Sequence, residues 1–213
     1  MLVTYILLAV IASCVLLLFA WRFASRCRAL PCPSWLRWLV ELDSPFVRGN
    51  RASVIVEHLD LRPGMRVLDV GCGPGRLTIP MADKVGPGGN VVAIDIQPRM
   101  LRRAKEKAQH AGLSNISFHE VKVGDGKLNF GQFDRAVLVN VLGEIPDREA
   151  ALKEVFSALK ASGVLSVTEI IVDPHFQGRA TVLRLATSAG FREKKFLGNR
   201  FAFSLHLEKP SDA

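Results

Sequence analysis

No two cysteines in this 213-residue chain stand at a metal-ligand spacing. Cys14 lies in an apolar run, Cys27 and Cys32 flank a proline-rich turn and Cys72 sits in a glycine loop, which argues against a zinc site or a disulfide framework. Internal repeats and low-complexity stretches are also absent, which leaves out a repeat array. Charged residues make up only 23% against 49% apolar, a balance that buries a core and excludes a disordered tail. The length excludes a multi-domain machine. What is present in excess is positive charge: 28 Lys and Arg against 20 Asp and Glu give +8, which favours anionic surfaces such as phospholipid headgroups or nucleic acid.

The mean hydropathy of +0.21 is high, and the excess sits largely in the first 23 residues. Leu2 through Ala20 carries no charge, and Trp21 and Phe23 follow at its boundary. About 20 apolar residues rising ~1.5 Å each cross a hydrocarbon core of roughly 30 Å. No Lys or Arg precedes the run and Trp21-Arg22-Phe23 is a poor cleavage site, so residues 1–23 read as an uncleaved transmembrane anchor rather than a signal peptide or a core helix. Arg22, Arg26 and Arg28 then place the rest of this single-pass chain on the cytoplasmic side of the membrane. Residues 24–50 form a basic linker in which Trp35, Trp38, Leu39 and Leu42 recur at helical spacing. Such a helix lies in the headgroup layer or packs on the domain as a lid, and the spacing is the same for both.

Residues 51–209 form the folded body and 210–213 a tail. Strands are predicted at Met65–Val70, Asn90–Ile94, Ile116–Val121, Phe133–Val139 and Val164–Val172, the last two almost wholly apolar. Helices are predicted from Arg51, after the glycine turn, over Arg99–His110 behind Pro98, near Asp147–Lys160 and over Phe176–Ala189. Phe191–Leu197 and Arg200–Glu208 read as an antiparallel hairpin at the sheet edge. The alternation specifies an α/β doubly wound sheet, which binds ligands at the carboxyl ends of its strands.

Between the first strand and its helix runs Val67-Leu68-Asp69-Val70-Gly71-Cys72-Gly73-Pro74-Gly75-Arg76. Without Cβ atoms this backbone turns tightly and approaches a ligand closely, and N–H groups at the helix start can face an anion. An ordinary tight turn shows the same glycines. The third glycine comes one residue earlier than a dinucleotide fingerprint requires, which disfavours an oxidoreductase.

Asp-Val-Gly-Cys-Gly-Pro-Gly resembles motif I of the class I S-adenosylmethionine-dependent methyltransferases, in particular the type 11, UbiE-like methyltransferase domain. Val91-Val92-Ala93-Ile94-Asp95 looks like that family's second strand, Gly124-Asp125-Gly126 like its loop after the third, and Phe133 to Leu142 like its fourth-strand motif. Leu159-Lys160-Ala161-Ser162-Gly163 resembles its turn before the fifth strand, with Ala161-Ser162 replacing proline-glycine, a change expected to alter a turn and not the chemistry. The resemblance covers Arg51 to about Lys209. It implies a mostly parallel, seven-stranded Rossmann-like sheet, here behind one transmembrane helix, and S-adenosylmethionine as cofactor. By resemblance, Asp69, Gly71, Cys72, Gly73 and Gly75 surround the methionine portion, with Asn140 nearby. Asp95 holds the ribose, Ile96 lies against the adenine and Asp125 reaches its edge.

A methyl group on a positively charged sulfur leaves readily, so the protein must mainly hold a nucleophile in line, ~3 Å away, and exclude water. No metal is required. A base is needed only where the acceptor carries a proton. Substrate-side candidates are Asn140, Glu144, Asp173 and His175; His175 has the best intrinsic pKa, or it orients loop backbone, and Glu144 serves the acceptor or caps the helix near Pro146. A tether to the bilayer raises the effective concentration of lipophilic acceptors, so a lipid, a phospholipid headgroup or a quinone-type molecule is favoured. Protein or nucleic-acid methylation is the second reading; Arg99, Arg102, Arg103, Lys105 and Lys107 lack an aromatic strand platform beside them. A non-catalytic, cofactor-binding membrane scaffold is the third. Oligomeric state is left open.

Overall fold

The computed structural model describes residues 48–211 and, ahead of them, the helical positions 4–6, 9–10, 12–13 and 16. Most of the expected anchor and the whole Trp35–Leu42 stretch lie outside the described residues. Among the described residues no helix is long and apolar enough to cross a membrane.

Seven strands form one sheet in the order β3-β2-β1-β4-β5-β7-β6. They are β1 (Arg66–Val70), β2 (Asn90–Asp95), β3 (Ile116–Glu120), β4 (Phe133–Val139), β5 (Leu159–Ile170), β6 (Arg192–Gly198) and β7 (Ala202–Glu208). The first five run parallel, while β7 is antiparallel to both β5 and β6. Strand order reverses at β1, which lies between β2 and β4, so the crevice of this fold opens at the carboxyl ends of those three strands.

Near-continuous apolar runs in β1, β2 and β4 suit a sheet covered on both faces. One face carries Val67, Val91 and Val137 against helices α1 (Ala52–His58) and α2 (Thr78–Val85), through Ile55, Val56, Met81 and Val85. The other carries Leu68, Ile94, Leu138 and Leu165 against α4 (Arg148–Ala158) and α5 (Arg179–Ser188), through Leu152, Val155, Val182 and Leu185. Pro98 opens α3 (Pro98–His110), where Met100, Ala104 and Ala108 bury a narrow stripe and leave the arginines outside.

Every element predicted within residues 51–209 is present, and two of them start three or more residues from the expected position. β5 begins at Leu159 and not at Val164: Leu159 pairs with Phe133 and Val164 with Arg135, so Lys160–Gly163 bulge out of register. The N–H of Ser162 donates to the Lys209 carbonyl (3.0 Å) and that of Lys209 to Gly163 (2.9 Å), which stitches the bulge to the far end of the chain. Ser162 adopts φ 60°, the region in which a Cβ is strained. Ser162→Gly is therefore expected to stabilise the fold by ~0.5–1 kcal/mol in urea unfolding; a lower midpoint would contradict the strain. α5 begins at Arg179 and not at Phe176, because the Asp173 side chain accepts the His175 N–H (2.7 Å) and its carbonyl accepts that of Phe176 (3.2 Å), closing a separate turn.

Candidate active site

At the end of β1 the chain folds back onto β2. The N–H groups of Gly71 and Cys72 both donate to the Ile94 carbonyl (2.8 and 3.0 Å), and that of Gly75 to the Cys72 carbonyl (3.0 Å). Gly71 sits at φ +68°, and a Cβ there would stand 2.6 Å from Val141 Cγ2. Glycine is needed at this position both for its backbone and for the approach of the β4 loop. Asp95, at the tip of β2, accepts backbone hydrogen bonds from Gly73 N–H at Oδ2 (2.9 Å) and from Gln97 N–H at Oδ1 (2.8 Å). Burial raises its pKa, opposed by the N–H groups of Gln97, Gly73 and Ile96. Ile96 beside it is 47% exposed.

Asp69 does a different job from Asp95. Its carboxylate is buried and accepts the Thr78 hydroxyl at 2.6 Å, tying β1 to the first turn of α2. Burial pushes Asp69 up to about 6 against that hydrogen bond, and the charge of Asp95 adds to the rise. The Cys72 thiol is buried and pushed well above its ordinary value by desolvation, which makes it a wall and not a nucleophile. Asp125 lies in an exposed turn and pairs with Lys122 Nζ at 3.1 Å.

The second half of the crevice is built by the loops after β4 and β5. Asn140 turns at φ 56°, its N–H donating to the Thr168 carbonyl (2.9 Å), while its buried Oδ1 has no hydrogen-bond partner. The 3-10 turn Leu142–Glu144 follows, held by Arg148, whose Nε donates to Leu142 O (3.1 Å) and Nη2 to Gly143 O (3.0 Å). Gly143 lies directly under the β5 loop: a Cβ would stand 1.9 Å from the His175 carbonyl oxygen. His175 is 4% exposed, with Nδ1 3.9 Å from both Glu144 Oε1 and Asp173 Oδ1. The expected acceptor-side residues Glu144, Asp173 and His175 thus converge. Glu144 does not cap α4; Asp147 does, accepting the Ala150 N–H at 2.9 Å.

Sequence reasoning missed Glu169. It is 1% exposed near the end of β5; its Oε2 accepts the Gln177 N–H (3.0 Å) and its Oε1 has no partner. Burial pushes this carboxyl up to about 8, with the charges of Asp173 and Glu144 adding to the rise, so it belongs to the same cluster and is largely protonated at neutral pH. A lone acid inside the apolar run Val164–Val172 was the available signal. Because the folded-state pKa is raised, the stability linked to protonation is full below 4.5 and is lost as pH climbs toward and through about 8. Glu169→Gln is expected to remove that part of the slope, so that thermal unfolding of the two proteins diverges toward pH 8 in favour of the variant. Parallel curves would contradict it. Among the described residues no group of His, Cys, Asp and Glu is arranged to hold a metal.

A glycine cradle with a fixed carboxylate at the neighbouring strand tip defines a nucleoside-binding α/β protein. The comparisons narrow the class. Residues 61–195 match the methyltransferase domain family, and the chain belongs to it. A protein-L-isoaspartate O-methyltransferase of Ignicoccus hospitalis is 30% identical over 181 residues, 80% of each chain. A demethylmenaquinone methyltransferase of Lactococcus lactis is 34% identical over 100 residues, 47% of this chain and 40% of that one. Several other curated relatives are spanned over less than half of their length, 42–44% for three of them. The crystal structure of a SAM-dependent methyltransferase from Aquifex aeolicus superposes with a TM-score of 0.73 at 21% identity, covering 84% of this chain and all of that one. The fold of this chain is shared by SAM-dependent methyltransferases of known structure, among them a magnesium protoporphyrin IX methyltransferase solved with SAM bound. This chain's residues fit the cofactor: backbone N–H groups fix the Asp95 carboxylate beside the glycine turn, Gly71 adds no side chain there, and the Asn140 Oδ1 has no hydrogen-bond partner.

Proposed function

We propose that this methyltransferase transfers a methyl group to a lipophilic small molecule or lipid, a phospholipid headgroup or quinone-type acceptor, while tethered to a membrane by residues 1–23, with its body on the cytoplasmic side. The observation that carries the tether is the state of the described positions in the N-terminal run. They are helical, and Tyr5, Ile6, Val10 and Leu16 are 67, 55, 55 and 69% exposed, so the folded body does not cover them. Exposed apolar positions in helical conformation within an uncharged run suit a bilayer. A relative that acts on demethylmenaquinone supports a hydrophobic acceptor.

Bound in the crevice, S-adenosylmethionine supplies an electrophilic methyl on a sulfonium. Asp95 would hold the ribose hydroxyls and the backbone from Gly71 to Gly75 the methionine portion, with Asn140 Oδ1 available to accept from its ammonium. Asp125 and Ile96 would flank the adenine. Glu144, Asp173, His175 and Glu169 line the acceptor side, where His175 would take the proton of an O–H or N–H acceptor and Glu169, protonated near neutrality, would donate a hydrogen bond. The buried position of both groups keeps bulk water from that step.

Protein methylation is the second reading, favoured by the isoaspartate O-methyltransferase that this chain matches over most of its length. Nucleic acid is a poorer partner: Arg99, Arg102, Arg103 and Lys105 form the solvated face of α3. Labelled S-adenosylmethionine incubated with separate lipid, quinone, protein and RNA fractions tests all of these. Label in the lipid or quinone fraction is the expected result. Label confined to protein would overturn the lipophilic acceptor, and cofactor binding without transfer to any fraction would leave only the scaffold.

A further inference from the structure

Of the four large apolar side chains that the described body leaves exposed, Ile96 stands at the end of β2 and the other three lie together at the end of β5. Val172 is 69% exposed, Phe201 46% and Ile171 40%. They come from two different loops that one bond joins: the Ile171 N–H donates to the Phe201 carbonyl at 2.7 Å. Asn199 Oδ1 accepts the N–H groups of Phe201 (2.9 Å) and Ala202 (3.2 Å), so the turn between β6 and β7 is braced. Asp173, the nearest acid in sequence, is turned inward to the His175 N–H, and no carboxylate interrupts the run Ile171–Val172. The Arg200 guanidinium stacks 4.5 Å over the Phe201 ring.

Two features fix where this tip faces. Ile170 ends β5 and pairs with Ala202 at the start of β7, so the tip stands at the carboxyl end of the parallel strands, the end at which the crevice opens. The chain also enters the body there. Asn50, in the 3-10 turn Arg48–Asn50, offers its carbonyl to Arg76 Nη1 of the glycine loop at 2.7 Å. A tether at the first residues is therefore joined to the body at its crevice end.

We infer that Ile171, Val172 and Phe201, with Arg200 beside the ring, form a second membrane contact that seats the crevice mouth on an anionic phospholipid surface. Two aliphatic side chains and an aromatic ring enter the boundary between headgroups and acyl chains, while the arginine lies along the ring and reaches lipid phosphate. A lipophilic acceptor then passes from the leaflet to the loops after β4 and β5 without crossing water. The inference rests on the tether proposed above and deepens it.

Photocrosslinking tests the two separately. The full chain is reconstituted in vesicles of equimolar phosphatidylcholine and phosphatidylglycerol that carry a diazirine phospholipid, irradiated, and its adducts are mapped by mass spectrometry. The expected result is adducts on residues 2–20 and on peptides containing Ile171–Val172 and Arg200–Phe201, the latter severalfold weaker in phosphatidylcholine alone and lost in V172D/F201D at unchanged cofactor affinity. Adducts on residues 2–20 without the tip would overturn this inference and leave the tether standing. No adducts on residues 2–20 would overturn the tether. Equal labelling of the tip in neutral vesicles, or crosslinks from tip to tip between two copies, would replace the anionic surface with another occupant and overturn the proposal.

Discussion

Replacing Asp95 with Ala is expected to weaken S-adenosylmethionine binding by ~1.5–3 kcal/mol, roughly ten- to a hundredfold, as measured by titration calorimetry. Two losses combine. The ribose hydroxyls lose a carboxylate acceptor, and the Gly73 and Gln97 N–H groups, now bonded to Oδ2 and Oδ1, lose the group that fixes the loop around the cofactor. Asp95→Asn keeps the shape and one acceptor, so it should fall between the two. Because Asp69 faces Thr78 and not the open crevice, Asp69→Asn is expected to act on stability more than on affinity. An Asp95→Ala protein that binds as tightly as the parent would remove the ribose role.

Gly143→Val should separate the acceptor half of the crevice from the cofactor half. A Cβ at this position stands 1.9 Å from the His175 carbonyl oxygen, inside any allowed contact, so the Leu142–Glu144 turn and the 173–177 loop must part. Overpacking of this kind costs roughly 1–3 kcal/mol of stability. It also displaces Glu144 and His175 from one another, and misplacement by about 1 Å can cost on the order of a hundredfold in rate. The expected outcome is a fall of that order in label transfer to the accepting fraction, with cofactor affinity nearly unchanged. Unaltered transfer would show that these loops are not where the acceptor sits.

The parts of the site that depend on neighbours in sequence were legible before the fold was known. Asp95 ends a buried strand, Gly71 precedes a helix, and β4 was read to the residue because Phe133 and the apolar run Ala136–Val139 stand between turn residues. What escaped depends on contacts between distant segments. Glu169 reads as one polar residue in a strand; only the fold places it under Gln177 and beside Asp173 and Glu144, where burial holds its proton. Ser162 reads as part of a turn, yet its conformation is set by Lys209 at the other end of the chain. Asp69 and Asp95 look alike as acids at strand ends, and it is the Thr78 hydroxyl that gives the first a structural task. The Ile171–Val172–Phe201 tip could not be foreseen because its two loops meet only when β7 inserts between β5 and β6.

A crystal structure of the full chain with S-adenosylhomocysteine, the product left after methyl transfer, tests the central claim most directly. The prediction is a ribose bonded to Asp95, a backbone cradle from Gly71 to Gly75, and a sulfur directed toward the cluster of Asn140, Glu144, Glu169 and His175. A ligand seated elsewhere, or one whose sulfur points away from the loops after β4 and β5, would contradict it.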